Sequence, residues 1–236
     1  MAMNQSPKIR QNTDTDFLKI VAVISMVLDH VGKVFFPDNV VLSIVGRIAF
    51  PLFAYCIVVG FLYTRNIKRY LMRLLVFGVI SQLIYPWALR SNSISFPNNL
   101  LNLNIFFTLI AGLLILLAIQ DLKKRWWLIL PVVAVELFIG LDYGVNGLAL
   151  FVIFYLTRNK RWLSFVLVLA WMCLELPGDF IMLQDFGIDK QFFAILALPF
   201  IYVHTNTHLK LNKYIFYAIY PVHLLLIFVF RIVMYG

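Results

Sequence analysis

The sequence predicts an all-α integral membrane protein, a single bundle of about nine transmembrane helices with its N-terminus in the cytoplasm and its C-terminus outside. Three observations carry this. Hydrophobic residues make up 62% of the chain and charged residues only 13%. Apolar runs of spanning length recur throughout. Basic residues return in every second loop. The runs are continuous and rich in Leu, Ile, Val and Phe, unlike the short alternating segments of a membrane barrel.

Residues 1–16 form a polar segment, expected in the cytoplasm, without the short apolar core and small-residue site of a cleaved signal, so the first span should act as its own insertion signal. Apolar stretches follow at about 17–36, 40–63, 70–89, 102–119, 126–141, 144–157, 162–176, 189–204 and 214–234. The fifth to seventh fall short of the roughly 20 residues a spanning helix needs. Pro131 and "GLDYG" interrupt that region, so the fifth and sixth read as one tilted or partly re-entrant hairpin. If the spans alternate, one side receives Lys8 and Arg10, then Arg65, Lys68, Arg69 and Arg73, then Lys123, Lys124 and Arg125, then Arg158, Lys160 and Arg161, then Lys210 and Lys213. The positive-inside rule makes that side cytoplasmic. The opposite loops hold Lys33, Arg90 and Lys190 with Asp38, Asp142, Asp179, Asp185 and Asp189.

The formal net charge of +9 therefore mostly reflects topology. No recognition module accompanies it, so the lipid bilayer is an expected partner and nucleic acid is not. Cys56 and Cys173 lie far apart inside apolar spans without metal-ligand spacing and read as packing residues. With no internal repeat and no linker, residues 1–236 form one transmembrane domain, whose oligomeric state the sequence does not encode.

Ionisable residues inside the spans are the functional candidates, because a charge near the bilayer centre costs at least about 2.5 kcal/mol and takes a partner. In "DFLKIVAVISMVLDHVG", residues 16–32, His30 lies about 9 Å below the outer end of its span, and Arg47 in "GRIAFP" lies about 10 Å below the outer end of the next. Asp29 is available to Arg47, or to the imidazole of His30. Lys19 and His30 are separated by close to three helical turns, so they share a face about 16 Å apart along the axis. That length is comparable to an extended phosphopantetheine arm, with Lys19 as a phosphate-binding cation at the cytoplasmic mouth and His30 as a base in the outer half.

These residues resemble a known pattern. Asp-x-x-Lys followed by ten residues and His looks like the Arg-x10-His signature in the first helix of the membrane acyltransferase type 3 superfamily, with Lys19 in place of the usual arginine and without its bidentate reach. The fragments "LKIVAVISMVLDHVGKVFFP", "VGRIAFPLFAY", "GFLYTRN", "YLMRLLVFGVISQLIY", "LNLNIFFTL", "DYGVNG" and "FYAIYPVHLLLI" are together similar, in order and over nearly the whole chain, to the TraX family. The resemblance implies a multi-pass acetyltransferase of the bacterial inner membrane, related to proteins of conjugative plasmids associated with acetylating the N-terminus of pilin. It carries over Asp29, His30, Arg47, Asn104, Thr108, Asp142, Tyr220, Pro221 and His223 as candidate functional positions.

The expected catalytic set is His30 as general base, Asp29, Arg47 as partner of an oxyanion or of Asp29, and His223, which lies mid-depth in the last span and binds the donor or orients His30. Lys19, Arg65, Arg69, Arg73, Tyr220 and Asn104 are the expected donor-binding residues. The donor is acetyl-CoA, with no metal, and the acceptor is an amine or hydroxyl of pilin or a surface glycan. Structural roles stand beside each of these: a backbone-bonded histidine, an Arg47 tie to Asp29, helix-gluing Asn104 and Thr108, and a hydrogen-bonding Glu136 in the bundle. The rival readings are a proton-coupled transporter, disfavoured by the absence of repeat symmetry and broken helix pairs, and a non-catalytic assembly factor for a surface structure.

Overall fold

The computed structural model describes residues 9–89, 102–174, 180–183 and 186–235. Lys8, Arg90, Asp179 and Asp185, whose charges contribute to the topology expected from the sequence, lie outside the described residues. In chain order come α1 (Thr15–Phe35), α2 (Val40–Gly46), α3 (Ala49–Tyr63), α4 (Ile67–Leu89), α5 (Ile105–Gln120), α6 (Leu122–Arg125), a 3-10 turn (Trp126–Leu128), α7 (Ile129–Phe138), α8 (Gly144–Leu156) and α9 (Arg161–Leu174). An antiparallel hairpin follows, β1 (Phe180–Leu183) and β2 (Phe186–Asp189), with Phe180 opposite Asp189. A 3-10 helix (Lys190–Ala197), α10 (Leu198–Tyr202) and α11 (Lys213–Tyr235) complete the described chain.

The segments Val40–Tyr63, Ile67–Leu89 and Lys213–Met234 are long and apolar enough to cross a membrane. Large apolar side chains face outward, with Leu83 69%, Phe138 85% and Val233 76% exposed. Water opposes such a surface and lipid tails accept it, so the chain is a helical membrane protein.

Three apolar stretches differ from single regular spans. The stretch 40–63 is two helices, because Arg47 and Ile48 form a turn between α2 and α3. A Cβ at Gly46 would overlap the Asp29 side chain, so glycine lets the end of α2 approach α1 at backbone distance. The stretch 126–141 is a 3-10 turn and the ten-residue α7, turned back through Gly144 at φ +53°. The stretch 189–204 begins as the second strand, continues as 3-10 helix and passes into the five-residue α10, where Pro199 has no N–H to continue the ladder. Two of these irregular spans touch, since Arg47 Nη1 donates to Gln191 Oε1 at 3.4 Å. The turn at Arg47 and Ile48 keeps helical backbone angles, so 40–63 is a kinked span, and its kink meets the irregular 189–204 stretch at Gln191.

The main core runs through α1, α3, α4, α5, α8, α10 and α11, with Leu18, Leu52, Leu113, Phe151, Ile201 and Leu224 fully enclosed. Residues 9–14 are no free polar tail, for Gln11 and Asn12 are 1% and 0% exposed. Arg10 N–H donates to the Arg158 carbonyl at 3.1 Å, Asn12 N–H to Ile201 at 2.9 Å, and the Tyr55 hydroxyl to the Asn12 carbonyl at 2.6 Å. The strap satisfies carbonyls left at helix ends. Desolvation would raise the Asp14 carboxyl, but the Thr207 N–H and hydroxyl and the Phe17 N–H outweigh it and hold the group below its usual range. These bonds gather the start of α1, the α8–α9 turn and the end of α10 at one end, the basic end, where Arg158 and Arg161 lie and where Arg73 and Lys213 line a cavity with Thr13 and Thr15.

Gly46→Ala is expected to lower the thermal midpoint in detergent by an amount equivalent to about 1–3 kcal/mol, the range for overpacking, because neither the α2 backbone nor Asp29 can move without breaking an ion pair.

Candidate functional site

Three turns along α1 from Lys19 lies a buried carboxylate. Asp29 is 6% exposed and holds two cations, Arg47 Nη2 on Oδ1 at 3.1 Å and Lys33 Nζ on Oδ2 at 2.6 Å. Lys33 reaches it because it stands one helical turn further along α1, and Arg47 because the chain breaks beside Gly46. Arg47 also donates to the Ser43 carbonyl through Nε. Of the two partners the sequence left open for Asp29, the structure selects Arg47.

His30 points to α11 instead. Its Nδ1 lies 2.7 Å from Nε2 of His223, whose own Nδ1 lies 3.0 Å from the Ile219 carbonyl one turn back. The rings are tilted by only 14° with centroids 5.0 Å apart, so they meet edge to edge along an in-plane lone pair rather than face to face. Tyr220 sets its ring across both, at 68° to His30 and 65° to His223.

Three cavities with walls in common lie between these groups and the basic end. The first, about 490 Å³, is lined by Lys19, Arg73 and Lys213 with Thr13, Tyr63 and Thr64. It shares Lys19, Cys56, Tyr70, Lys213 and Tyr217 with a narrow apolar neck of about 90 Å³. The neck shares Met26, Phe53, Ile105 and Tyr220 with a far cavity of about 250 Å³, lined also by Asp29, His30, Lys33 and Asp142. Neither Arg47 nor His223 lines that far cavity. Phe50 and Tyr143 form one of its walls, stacked with centroids 3.7 Å apart. At the basic end, Arg73 lies against the Tyr70 and Tyr217 rings at 5.7 and 5.9 Å, and its Nε is buried without a partner. Lys19 is tied to Asp16 at 3.0 Å.

The structure thus groups His30, Asp29 and Tyr220 around one cavity, with Arg47 and His223 behind them, and Lys19 with Arg73 around another. Arg65 and Arg69 lie exposed at the α3–α4 turn and outside the cavity linings. Asn104 is 0% exposed and caps α5, donating to the Gly78 carbonyl at 2.8 Å and to Gln82 at 2.9 Å while accepting from Phe106 N–H. It works here as a tie between α4 and α5. Glu136 accepts from Leu141 N–H at 3.0 Å and fixes the turn into α8. Sequence reasoning assigned Lys213 to topology alone, although its place among the basic loops was visible.

Arg47→Ala should destabilise the fold by less than the roughly 3–5 kcal/mol of a wholly uncompensated buried charge, because Lys33 still holds the other oxygen of Asp29. Adding Asp29→Asn should restore part of that loss. Thermal unfolding of both variants in detergent measures it, and additive losses would mean that the pair is not coupled.

Comparison with known proteins adds the family. The profile described as "TraX protein" matches residues 14–231. The chain is 32% identical over 239 aligned residues, covering 89% of it and 92% of the relative, to the "Probable fimbrial assembly protein FimC, serogroup H1" of Dichelobacter nodosus. A shorter stretch of 68 residues, 29% of this chain and 25% of the relative, is 38% identical to an uncharacterized protein of Rickettsia prowazekii (strain Madrid E). No solved structure matches the chain. With a match across nearly its whole length, and with the "LDH", "GR" and "YPVH" residues gathered around one buried site, the chain belongs to the TraX family.

Proposed function

We propose that this protein is a nine-pass acetyltransferase of the bacterial inner membrane that moves an acetyl group from cytoplasmic acetyl-CoA to an amine or hydroxyl presented at the outer half of the bilayer. The observation that carries this reading is the series of cavities sharing walls from the cations of the basic end to His30. The basic cavity takes the donor's phosphates on Lys19, Arg73 and Lys213. The apolar neck takes the pantetheine arm, and the thioester carbonyl then meets His30 in the far cavity, about 16 Å along α1 from Lys19.

There the acceptor's nitrogen or oxygen attacks the carbonyl carbon while His30 accepts its proton, and the sulfur leaves towards the basic end. Lys33 lines the cavity and is the cation placed for the developing oxyanion, whereas Arg47 faces Asp29, Gln191 and the Ser43 carbonyl and acts as a support. Pilin or a surface glycan is the acceptor, in keeping with the fimbrial assembly role in the relative's name. The convergence of the basic loops at one end supports a cytoplasmic N-terminus and an external C-terminus.

A second reading keeps a specific observation in its favour. The kink at Arg47 and the irregular stretch at Gln191 touch in the manner of a transporter's discontinuous helices, and there Asp29, His30 and His223 are relay groups. Acetyl-CoA separates the two. Under the acetyltransferase reading it raises the thermal midpoint of the purified protein, by an amount equivalent to about 2.7 kcal/mol at a hundredfold excess over Kd. Absence of any shift across a broad titration favours the transporter.

Lys19→Ala, Arg73→Ala and Lys213→Ala should each weaken acetyl-CoA binding by about 1–3 kcal/mol in calorimetry, and Arg65→Ala and Arg69→Ala by much less. His30→Ala should keep that binding and lose about 10²- to 10⁴-fold in transfer rate. For the topology, a reporter joined to the C-terminus is expected outside and one inserted at the α3–α4 turn inside. Both on one side would refute the nine-pass arrangement.

A further inference from the structure

We propose that His223 is a positioning residue that locks His30 in the tautomer with a bare Nε2, so that a second neutral imidazole, and not a carboxylate, readies the base. Its kinetic consequence rests on the acetyl-transfer reading, while its structural consequence does not.

The proton count of the pair is set at its far end. The Ile219 carbonyl has only lone pairs to offer, so Nδ1 of His223, 3.0 Å away, carries the hydrogen. Neutral His223 then has a bare Nε2. Against it, at 2.7 Å, Nδ1 of His30 can only donate. Neutral His30 is left with its proton on Nδ1 and a free lone pair on Nε2. The Nδ1 edge is turned to His223, which does not line the far cavity, whereas His30 does; we take the Nε2 edge as the one that serves that cavity. A free histidine side chain in water prefers the opposite tautomer, with the proton on Nε2, where it would block the base. His223 reverses that preference.

The usual orienter of a catalytic imidazole is a carboxylate, and the neighbouring one is engaged. Both oxygens of Asp29 are held, by Lys33 at 2.6 Å and Arg47 at 3.1 Å. His223 in turn is fixed by α11, through its bond to the carbonyl four residues back and by the Tyr220 ring, whose centroid lies 5.2 Å away. In the reaction the acceptor's proton passes to Nε2 as its heteroatom bonds to the carbonyl carbon. The C–S bond then breaks, the thiolate takes the proton from Nε2, and His30 returns to the starting tautomer. While His30 is doubly protonated, its Nδ1–H bond to Nε2 of His223 disperses the charge over two rings.

The test is ¹⁵N NMR of histidine-labelled protein in nanodiscs without substrate, together with turnover of the same preparations. The wild type should show His30 protonated on Nδ1 and bare at Nε2, with scalar coupling between that Nδ1 and Nε2 of His223. His223→Leu should move the His30 proton to Nε2 and lower kcat about 10²-fold, the lower bound for general-base loss, at unchanged KM for acetyl-CoA. His223→Gln, whose side-chain oxygen can accept from Nδ1, should keep the tautomer and recover kcat to within about tenfold of wild type. A wild-type His30 protonated on Nε2, or an unchanged tautomer in folded His223→Leu, overturns the proposal. If His223→Leu fails to fold, the wild-type spectrum and the Gln variant still decide it. A tautomer that shifts as stated in a protein that transfers no acetyl group would uphold the lock and reject the acetyl-transfer reading.

Discussion

A carboxylate enclosed in an apolar helix bundle is the constraint from which the rest of this site follows. Asp29, 6% exposed, is largely withdrawn from solvent and depends on cations brought to it by the chain. One comes from its own helix at Lys33. The other requires α2 to end against α1, which only glycine at position 46 allows, and the backbone to turn so that Arg47 faces inward. The guanidinium left over from that pairing reaches Gln191, which ties the irregular segment 190–197 to the same point. The helix break is thus a consequence of one buried charge. One side of the irregular segment packs into the bundle, with Ala194 and Ala197 buried, while Phe192 and Leu196 face outward.

That arrangement leaves His30 with a neutral neighbour. A second carboxylate beside it would add a net negative charge to a region where each isolated ion is costly. An imidazole orients the ring through the same kind of in-plane bond and adds no charge in the resting state. Under the proposed acetyl transfer the pair would become ionic only while a proton is in transit.

Much of the frame was legible in the sequence because length and composition determine it. α1, α4 and α11 fall where apolar runs of about 20 residues lie, the length a spanning helix needs. Counting 1.5 Å per residue put His30 and Arg47 at similar depth and so made the adjacent Asp29 available to Arg47, and the structure joins Asp29 and Arg47 at 3.1 Å. Depth says nothing about angular position round the bundle. The His30 to His223 bond links residues 193 apart in sequence and depends on how α11 packs beside α1, which hydropathy does not encode. For the same reason Lys213 turns into the basic cavity and Arg65 does not, although both belong to basic loops. The break at Arg47 was hidden because apolar residues continue on both sides of it. The strap at Asn12 was hidden because polar composition reads the same in solvent as against the unsatisfied carbonyls of α8 and α10.

The narrow neck between the two cavities has an electrical meaning. In the energised membrane proposed above, a polar path from one face to the other would be a leak, and every elementary charge that slips across 100 mV dissipates about 2.3 kcal/mol. The walls of the neck are almost entirely hydrocarbon and aromatic, and its space is only about 90 Å³. Lys19 and Lys213 stand at its basic end, and beyond them the apolar walls offer a hydrated ion nothing to replace its water, whereas a neutral, slender chain finds contacts along them. In the proposed setting the seal against a leak would be the lining itself rather than any moving part.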